Sequence, residues 1–533
     1  MNRNLHRITS PPSKPGQPDG RPVRVGLIGV GPHARKAYLP LLAELRQAGI
    51  AEVAFAVELQ DRGVEASADL RRFGVGRRLI LTEPFTGRDI PEDLRQRLDH
   101  AVDRHHVDAV IIATEPTVHL PYLRWAVQKG LHVLVDKPIL GFAGTSTDPD
   151  AAADVLREFV ALRHLADAQP DRLVAVAVQR RHHLGFDLVA DLVAEVAERF
   201  GCPVTSFQSS HFDGQFRTPA EHADLGYHGT NEGYGKLFHS GTHLVDIQAV
   251  LIERAGNAAG LTYDGFTTAT GAVRPAGFLL QVPPKAYDAM FPAEPGAHHP
   301  GTDARARATF EGHGELDLAG LTTFTSDGVP TLLAQVTLLH NSFSLRNWAT
   351  ARPDLYKGNG RVKHEHHVIV QGPFQTIQVH SYQAKDRHEQ VGAGDLAPGG
   401  SSHFDVVVYR NRGLWPSSVP VMETVSAADL IAGADLAADQ LLSAHAKRHM
   451  VTDFIDVVAG RADLDAHRST LASNHLTSAL MAAMSESLAS QQPVTRPIPG
   501  TAPHLVLTEG SRGHTSTTDT TSTISSTSKD GAA

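Results

Sequence analysis

The sequence predicts an α/β chain in two parts: a doubly wound parallel sheet at the N-terminus, then an α+β domain built on a large, mainly antiparallel sheet. Three observations carry that prediction. Between Val23 and Leu140 short apolar runs alternate with helical patterns, and runs apolar on both faces belong in a parallel sheet covered by helices. From about Thr267 onward, β-rich segments follow one another with turn signals between them, as in an antiparallel sheet. A glycine turn joins the first strand to the first helix.

Taken in order, VRVGLIGV is the first strand, ARKAYLPLLAELRQAG a helix stopped at Gly49, and EVAFAVE the second strand. A helix follows around EASADLRRFG. DAVIIAT and LHVLVDKP are two more buried strands, and Thr82 to His106 is read as an insertion. Beyond Leu140 come a helix (DPDAAADVLREFVALRHLADA), a buried strand (RLVAVAV) and two further helices (FDLVADLVAEVAERFG and HSGTHLVDIQAVLIERAG). The expected strands are then TTATGAVR, ARATFEG, LTTFTS, LLAQVTLLH, HHVIVQG and TIQVHSY, with inserted loops near 211–238, 285–305 and 383–402. The expected boundaries are a disordered tail at 1–22, a first domain at 23–145, a second at 146–505 whose closing helices at 426–490 pack back, and a Ser/Thr-rich disordered tail at 506–533.

Composition narrows the function classes. The chain of 533 residues is 41% hydrophobic and carries 49 basic against 58 acidic residues, a net charge of −9. That balance lacks the basic footprint of a duplex-binding protein, so no nucleic-acid partner is expected. A single cysteine, Cys202, can build neither an internal disulfide nor a thiolate metal site. Residues 1–22 are polar and broken by five prolines, and no run approaches the roughly 20 apolar residues of a membrane helix. The expectation is a cytoplasmic protein with no membrane partner.

Gly29-Val30-Gly31-Pro32-His33-Ala34 has the G-x-G-x-x-A form between a strand and a helix, the context of a Rossmann dinucleotide site. Gly29 allows the tight turn, Gly31 lets the backbone approach a pyrophosphate, and Ala34 lets the helix pack closely. The helix N-terminus, with Pro32 and His33, then faces the anion. Glu58 ends the second strand, 27 residues after Gly31. A carboxylate there accepts from the ribose hydroxyls and repels a 2′-phosphate, which favours NAD. Arg62, one turn on, works the other way and leaves NADP open.

Further along, DAVIIATEPTVHLPYLRWAVQKGLHVLVDKPI carries Thr114, His119 and Asp136-Lys137-Pro138; Gln179-Arg180-Arg181 follows the next strand, and His239, His243 and Asp246 lie on a later helix. With the glycine turn, these resemble the Gfo/Idh/MocA oxidoreductases, the family of glucose–fructose oxidoreductase and inositol dehydrogenase. The resemblance spans about Val23 to Val494. It implies NAD(P)-dependent hydride transfer at a carbinol carbon of a sugar, cyclitol or related polyol, in a homodimer or homotetramer. It places Thr114, His119, Asp136 and Lys137 at the cofactor, with Lys137 also at the substrate hydroxyl, and makes His243 the general base. It leaves Arg180 and Arg181 to bind an anionic substrate group or to pair with a carboxylate, and sets Asp246 at the substrate site, to orient His243 or to cap a neighbouring element. His239 is counted with the catalytic residues but is a departure: the family more often has an acid four residues before the catalytic His. Two other readings stand beside this one, an NAD-dependent glycosidase acting by transient oxidation and elimination, and a non-catalytic dinucleotide-binding protein.

The 31 histidines raise a metal reading. His239 and His243 share a helix face, with His211, Asp213, His222, Asp224 and His228 in the preceding loop. The expectation is a polar substrate pocket without metal. The run Lys363-His364-Glu365-His366-His367 is read as a polar sheet face.

Overall fold

The computed structural model describes residues 21–76, 78–214, 216–223, 230–292, 294–345, 360–384, 391–436 and 441–498. The tails expected at 1–22 and 506–533 lie outside these, apart from Arg21 and Pro22.

Six parallel strands form the first sheet: β1 (Val23–Ile28), β2 (Ala51–Leu59), β3 (Leu79–Thr82), β4 (Ala109–Ile112), β5 (His132–Val135) and β6 (Val174–Val176), in the order β3-β2-β1-β4-β5-β6. This is the doubly wound dinucleotide-binding order, whose crevice opens at the carboxyl ends of β1 and β4. Helices α1 (Pro32–Gln47) and α2 (Gly63–Phe73) cover one face. Helices α3 (Glu92–His105) and α4 (His119–Gln128) cover the other. α1 turns Ala34, Tyr38, Leu39, Leu41, Leu42 and Leu45 inward, the helical spacing that the sequence shows.

Two expectations change here. Residues 82–106 are not an insertion, because they hold α3, the ordinary crossover from β3 to β4. The strand RLVAVAV does not belong to the second domain. It is β6, paired parallel with β5 through Val133↔Val174 and Val135↔Val176, so the first sheet runs well past residue 145.

The second sheet has nine strands, β7 (Ser206–Phe212), β8 (Gly265–Val273), β9 (Asp317–Ser326), β10 (Val329–Leu339), β11 (Lys363–Gln371), β12 (Gln375–Gln383), β13 (Phe404–Arg410), β14 (Met422–Val425) and β15 (Val494–Pro497). Their order is β14-β13-β12-β11-β7-β10-β9-β8-β15, antiparallel except for the parallel pair β10 and β7. The loop expected at 211–238 therefore begins inside β7. ARATFEG is not a strand: Ala304–Ala308 is a helix, capped by the Asp303 carboxylate, which accepts from the Ala306 N–H at 2.8 Å.

One face of this sheet packs on the helices Leu184–Phe200, Thr242–Ala259 and His475–Ser490, forming the largest core. On β9 and β10 the alternation is clear. Leu318, Phe324, Leu332, Val336 and Leu338 are buried, whereas Leu321 and Leu333 are about half exposed on the other face. The helix Leu442–Val458 behaves differently. Its Met450, Val451, Phe454 and Ile455 join Tyr38, Leu42 and Leu134 in the core of the first sheet. Among the described residues no helix is long and apolar enough to cross a membrane.

Candidate active site

The glycine turn lies at the carboxyl end of β1. Gly29 has φ +92°, and a Cβ there would lie 2.6 Å from the Ala113 carbonyl oxygen at the end of β4, so glycine is required. Gly31 is the N-cap of α1, and a Cβ on it would meet nothing within 4 Å. No side chain caps this helix, so its first amides are open to an anion. Pro32 occupies the first turn, where its missing N–H costs little. Ala34 is fully buried against the sheet. Glu58 takes the Val30 N–H at 2.8 Å and the Leu59 N–H at 2.8 Å, which sets its carboxylate against the turn. Open space, open amides and an acid at the end of β2 fit a dinucleotide.

Thr114 neighbours Gly29, since its Cγ2 would lie 3.2 Å from a Cβ there. Asp136, one residue beyond β5, accepts from the Tyr38 hydroxyl and lies 3.7 Å from His33 Nε2, which ties the strand end to α1. Burial, with the Asp136 charge beside it, pushes the Tyr38 hydroxyl well above its ordinary range. His119 is fully buried, with its ring nitrogens 2.9 Å from the Pro138 carbonyl oxygen and 3.1 Å from that of Thr114. Burial lowers its pKa, so the neutral ring donates its single N–H to one of the two carbonyls and packs between both loops.

Lys137 follows at the same strand end, and its ammonium donates to the His239 carbonyl. Burial lowers its pKa to about 8, against the pull of Asp136 and Glu115. His239 lies in a π-helical turn, Leu237–Gly241, that leads into the helix Thr242–Ala259. Such turns recur at functional sites. The His239 backbone, rather than an acidic side chain, therefore meets Lys137. His243 stands one turn further on. Its Nδ1 is buried without a hydrogen-bond partner, and burial, with Arg180, Lys137 and Lys363 nearby, holds the imidazole neutral.

Arg180 and Arg181 turn to carboxylates. Arg180 grips Glu365 with two nitrogens, Nε at 2.9 Å from Oε1. Arg181 does the same to Asp246, with Nε 3.1 and 3.0 Å from its two oxygens. Asp246 is fully buried and also accepts from the Thr477 hydroxyl at 3.0 Å. Arg181 and Asp246 are thus a structural pair. Neither is open to substrate, and Asp246 does not orient His243.

Residues that the sequence reading placed elsewhere (Lys363 and Glu365 on a polar sheet face, Asp213 among possible metal ligands) join others it did not single out (Lys236, Arg361 and His340) around the site. Lys363 lies 3.9 Å from Glu365, and burial brings it to about 8 as well. Burial would raise the Glu365 carboxyl, but Arg180 and the hydrogen bond from His367 hold it well below its usual range. Asp213 is fully buried at the end of β7, with Lys236 at 2.9 Å and Arg361 on its other oxygen. His340 faces the same carboxylate at 3.6 Å. Of the proposed metal ligands, Asp224 and His228 lie outside the described residues. Among the described ones, His239, His243, His211, Asp213 and His222 do not bring three ligand atoms together.

Residues 23–160 match the family model GFO_IDH_MocA, described as "Oxidoreductase family, NAD-binding Rossmann fold". No curated protein matches the sequence. Among solved structures, levoglucosan dehydrogenase in complex with NADH is 14% identical with a TM-score of 0.55, over 90% of this chain and 100% of that one. An inositol dehydrogenase homolog from Azotobacter vinelandii, complexed with NADH and myo-inositol, gives 13%, 0.53, 90% and 98%. An oxidoreductase domain protein from Kribbella flavida gives 16%, 0.52, 90% and 100%. At such identities the likeness is one of fold, extending over both sheets. Taken with the glycine turn and the strand order, the match makes residues 23–160 an NAD-binding Rossmann domain of the Gfo/Idh/MocA oxidoreductase family.

Proposed function

We propose that the chain is an NAD-dependent dehydrogenase that oxidises a carbinol carbon of a sugar, cyclitol or related polyol, or runs the reverse reduction. One observation carries the reading. Lys137, just beyond the carboxyl end of β5, is fixed on the carbonyl one turn before His243, and its charge acts on that ring, so an ammonium and a neutral imidazole stand close together at this strand end. NAD, when bound, supplies the hydride acceptor. Lys137 polarises the substrate hydroxyl and stabilises the alkoxide, while His243 takes the proton. The Glu365–Arg180 and Asp213–Lys236–Arg361 groups provide fixed donors and acceptors for further hydroxyls. Levoglucosan and myo-inositol in the similar structures support a polyhydroxylated substrate. The half-exposed Leu321 and Leu333 on the open face of the second sheet support a homodimer or homotetramer, and the reading places the protein in the cytoplasm.

The test is NADH formation across a panel of sugars and cyclitols. Net NADH should accumulate with at least one of them, which a transient oxidation returning its hydride would not give. His243→Ala should lose about 10²- to 10⁴-fold in turnover while NADH affinity holds. Unchanged turnover in that variant would overturn the assignment.

A further inference from the structure

A second cluster of histidines lies outside this pocket. The turn Gln179–His182 ends in His182, whose side chain is 0% exposed and whose Nε2 lacks a hydrogen-bond partner. Facing it, the helix Leu442–Val458 presents His449 and Asp453, four residues apart on one stripe. His182 Nδ1 is 3.3 Å from Asp453 Oδ2, and His449 Nε2 is 3.4 Å from Asp453 Oδ1. Both separations are long for N–H···O bonds, whose range is about 2.7–3.2 Å. They match another geometry. Nitrogen and oxygen ligands about 2.0–2.2 Å from a tetrahedral ion stand about 3.3–3.5 Å apart. Among the described residues, this is the one group in which three such ligand atoms lie within 4.8 Å of one another.

We propose that His182, His449 and Asp453 bind one divalent transition-metal ion, with Zn²⁺ as the chemical type. Two imidazoles and one carboxylate suit a borderline-soft ion better than Ca²⁺ or Mg²⁺, which take oxygen ligands. The fourth position is left to solvent. Two further imidazoles pack against the group: the His467 ring lies 5.3 Å from that of His182 and accepts the Ser469 N–H at 3.2 Å, and the His445 ring stacks on His449. The ion would join two elements that are far apart in sequence. One is the helix whose Phe454 and Ile455 close the core of the first sheet; the other is the turn that carries Arg180 to Glu365. Its role is a clasp between the dinucleotide domain and the substrate pocket, independent of the reaction proposed above.

Full-length protein stripped with a chelator and dialysed against Zn²⁺ should retain one equivalent by elemental analysis, with a higher melting temperature. Co²⁺ in its place should give the visible spectrum of a tetrahedral site. His449→Ala and Asp453→Asn, both at half-buried helix positions, should abolish that equivalent and the thermal shift. Asp453→Asn keeps the side-chain shape and decides the matter if His449→Ala does not fold. Absence of a bound equivalent in the unmodified protein would overturn the proposal, and so would an equivalent that survives both substitutions.

Discussion

Lys137 sits between two opposing influences, and they set a pH dependence. Burial favours its neutral form and brings the pKa to about 8, although Asp136 and Glu115 pull the other way. His243 is neutral throughout this range, because burial lowers its pKa well below 6.5. Alcohol oxidation should therefore be flat below about 8 and fall above it as Lys137 loses its proton, a profile read directly from kcat. Lys137→Arg, which keeps its charge, should lose that upper limb even where it lowers the rate. Glu58 governs cofactor choice. Glu58→Ala should narrow the preference for NADH over NADPH by about tenfold or more, since it removes both a ribose acceptor and the repulsion of a 2′-phosphate; a titration in which wild type prefers NADPH would refute the assignment. Lys137 and His243 were legible in the sequence because each stands in a short motif. Lys363 and Glu365 left a fainter signal: strict alternation along KHEHHVIVQ puts Glu365 and His367 inside and His366 toward the surface. The Asp213–Arg361 pair left none, for its partners are 148 residues apart and only tertiary folding joins them.

Elements, rather than single side chains, explain the cofactor turn. Gly29 and Gly31 are both glycine for reasons that can be separated. Gly29→Ala would force a methyl to 2.6 Å from the Ala113 carbonyl oxygen at positive φ, so it should lower the melting temperature as well as dinucleotide affinity. Gly31→Ala meets no protein atom within 4 Å and sits at φ −71°, so melting should stay near wild type while the NADH Kd rises about tenfold or more. Calorimetric melting combined with fluorescence titration checks both. The buried strands β1, β2, β4 and β5 were readable because they are apolar on both faces. β3 was not, since it is a four-residue edge strand with one buried side chain. α3 looked like an insertion because it is highly charged, yet it buries Leu94, Leu98, Ala101 and Val102 at helical spacing. The regular helix expected from His239 opens instead with a π-helical turn, and nothing in HSGTH marks that wider turn.

For the whole molecule, the buried histidines make an acid-labile fold. Burial lowers His132 and His340 to about 4, and His211, His222 and His243 well below 6.5. Unfolded, these rings take protons near 6.5, whereas the folded protein refuses them. The stability they permit is therefore complete above 6.5 and is lost progressively as pH falls toward about 4. Melting temperature measured between about pH 7.5 and 5 should decline steadily below 6.5; a flat profile would mean that these rings protonate within the fold. The division into a parallel and an antiparallel sheet was legible from the rhythm of apolar runs. The order of the nine strands was not, because pairs such as β7 with β11 close over long stretches of chain.

The helix Leu442–Val458 also bears on the order of events during synthesis. Its Met450, Val451, Phe454 and Ile455 fill the core beneath Tyr38 and Leu42, so the dinucleotide domain leaves the ribosome well before the helix that finishes it. Until about 280 residues beyond Val176 have emerged, a nascent dinucleotide domain carries an uncovered apolar face. Such a face invites aggregation or a chaperone. A stop codon anywhere before this helix would thus remove more than a C-terminus: it would leave the N-terminal half without its last wall.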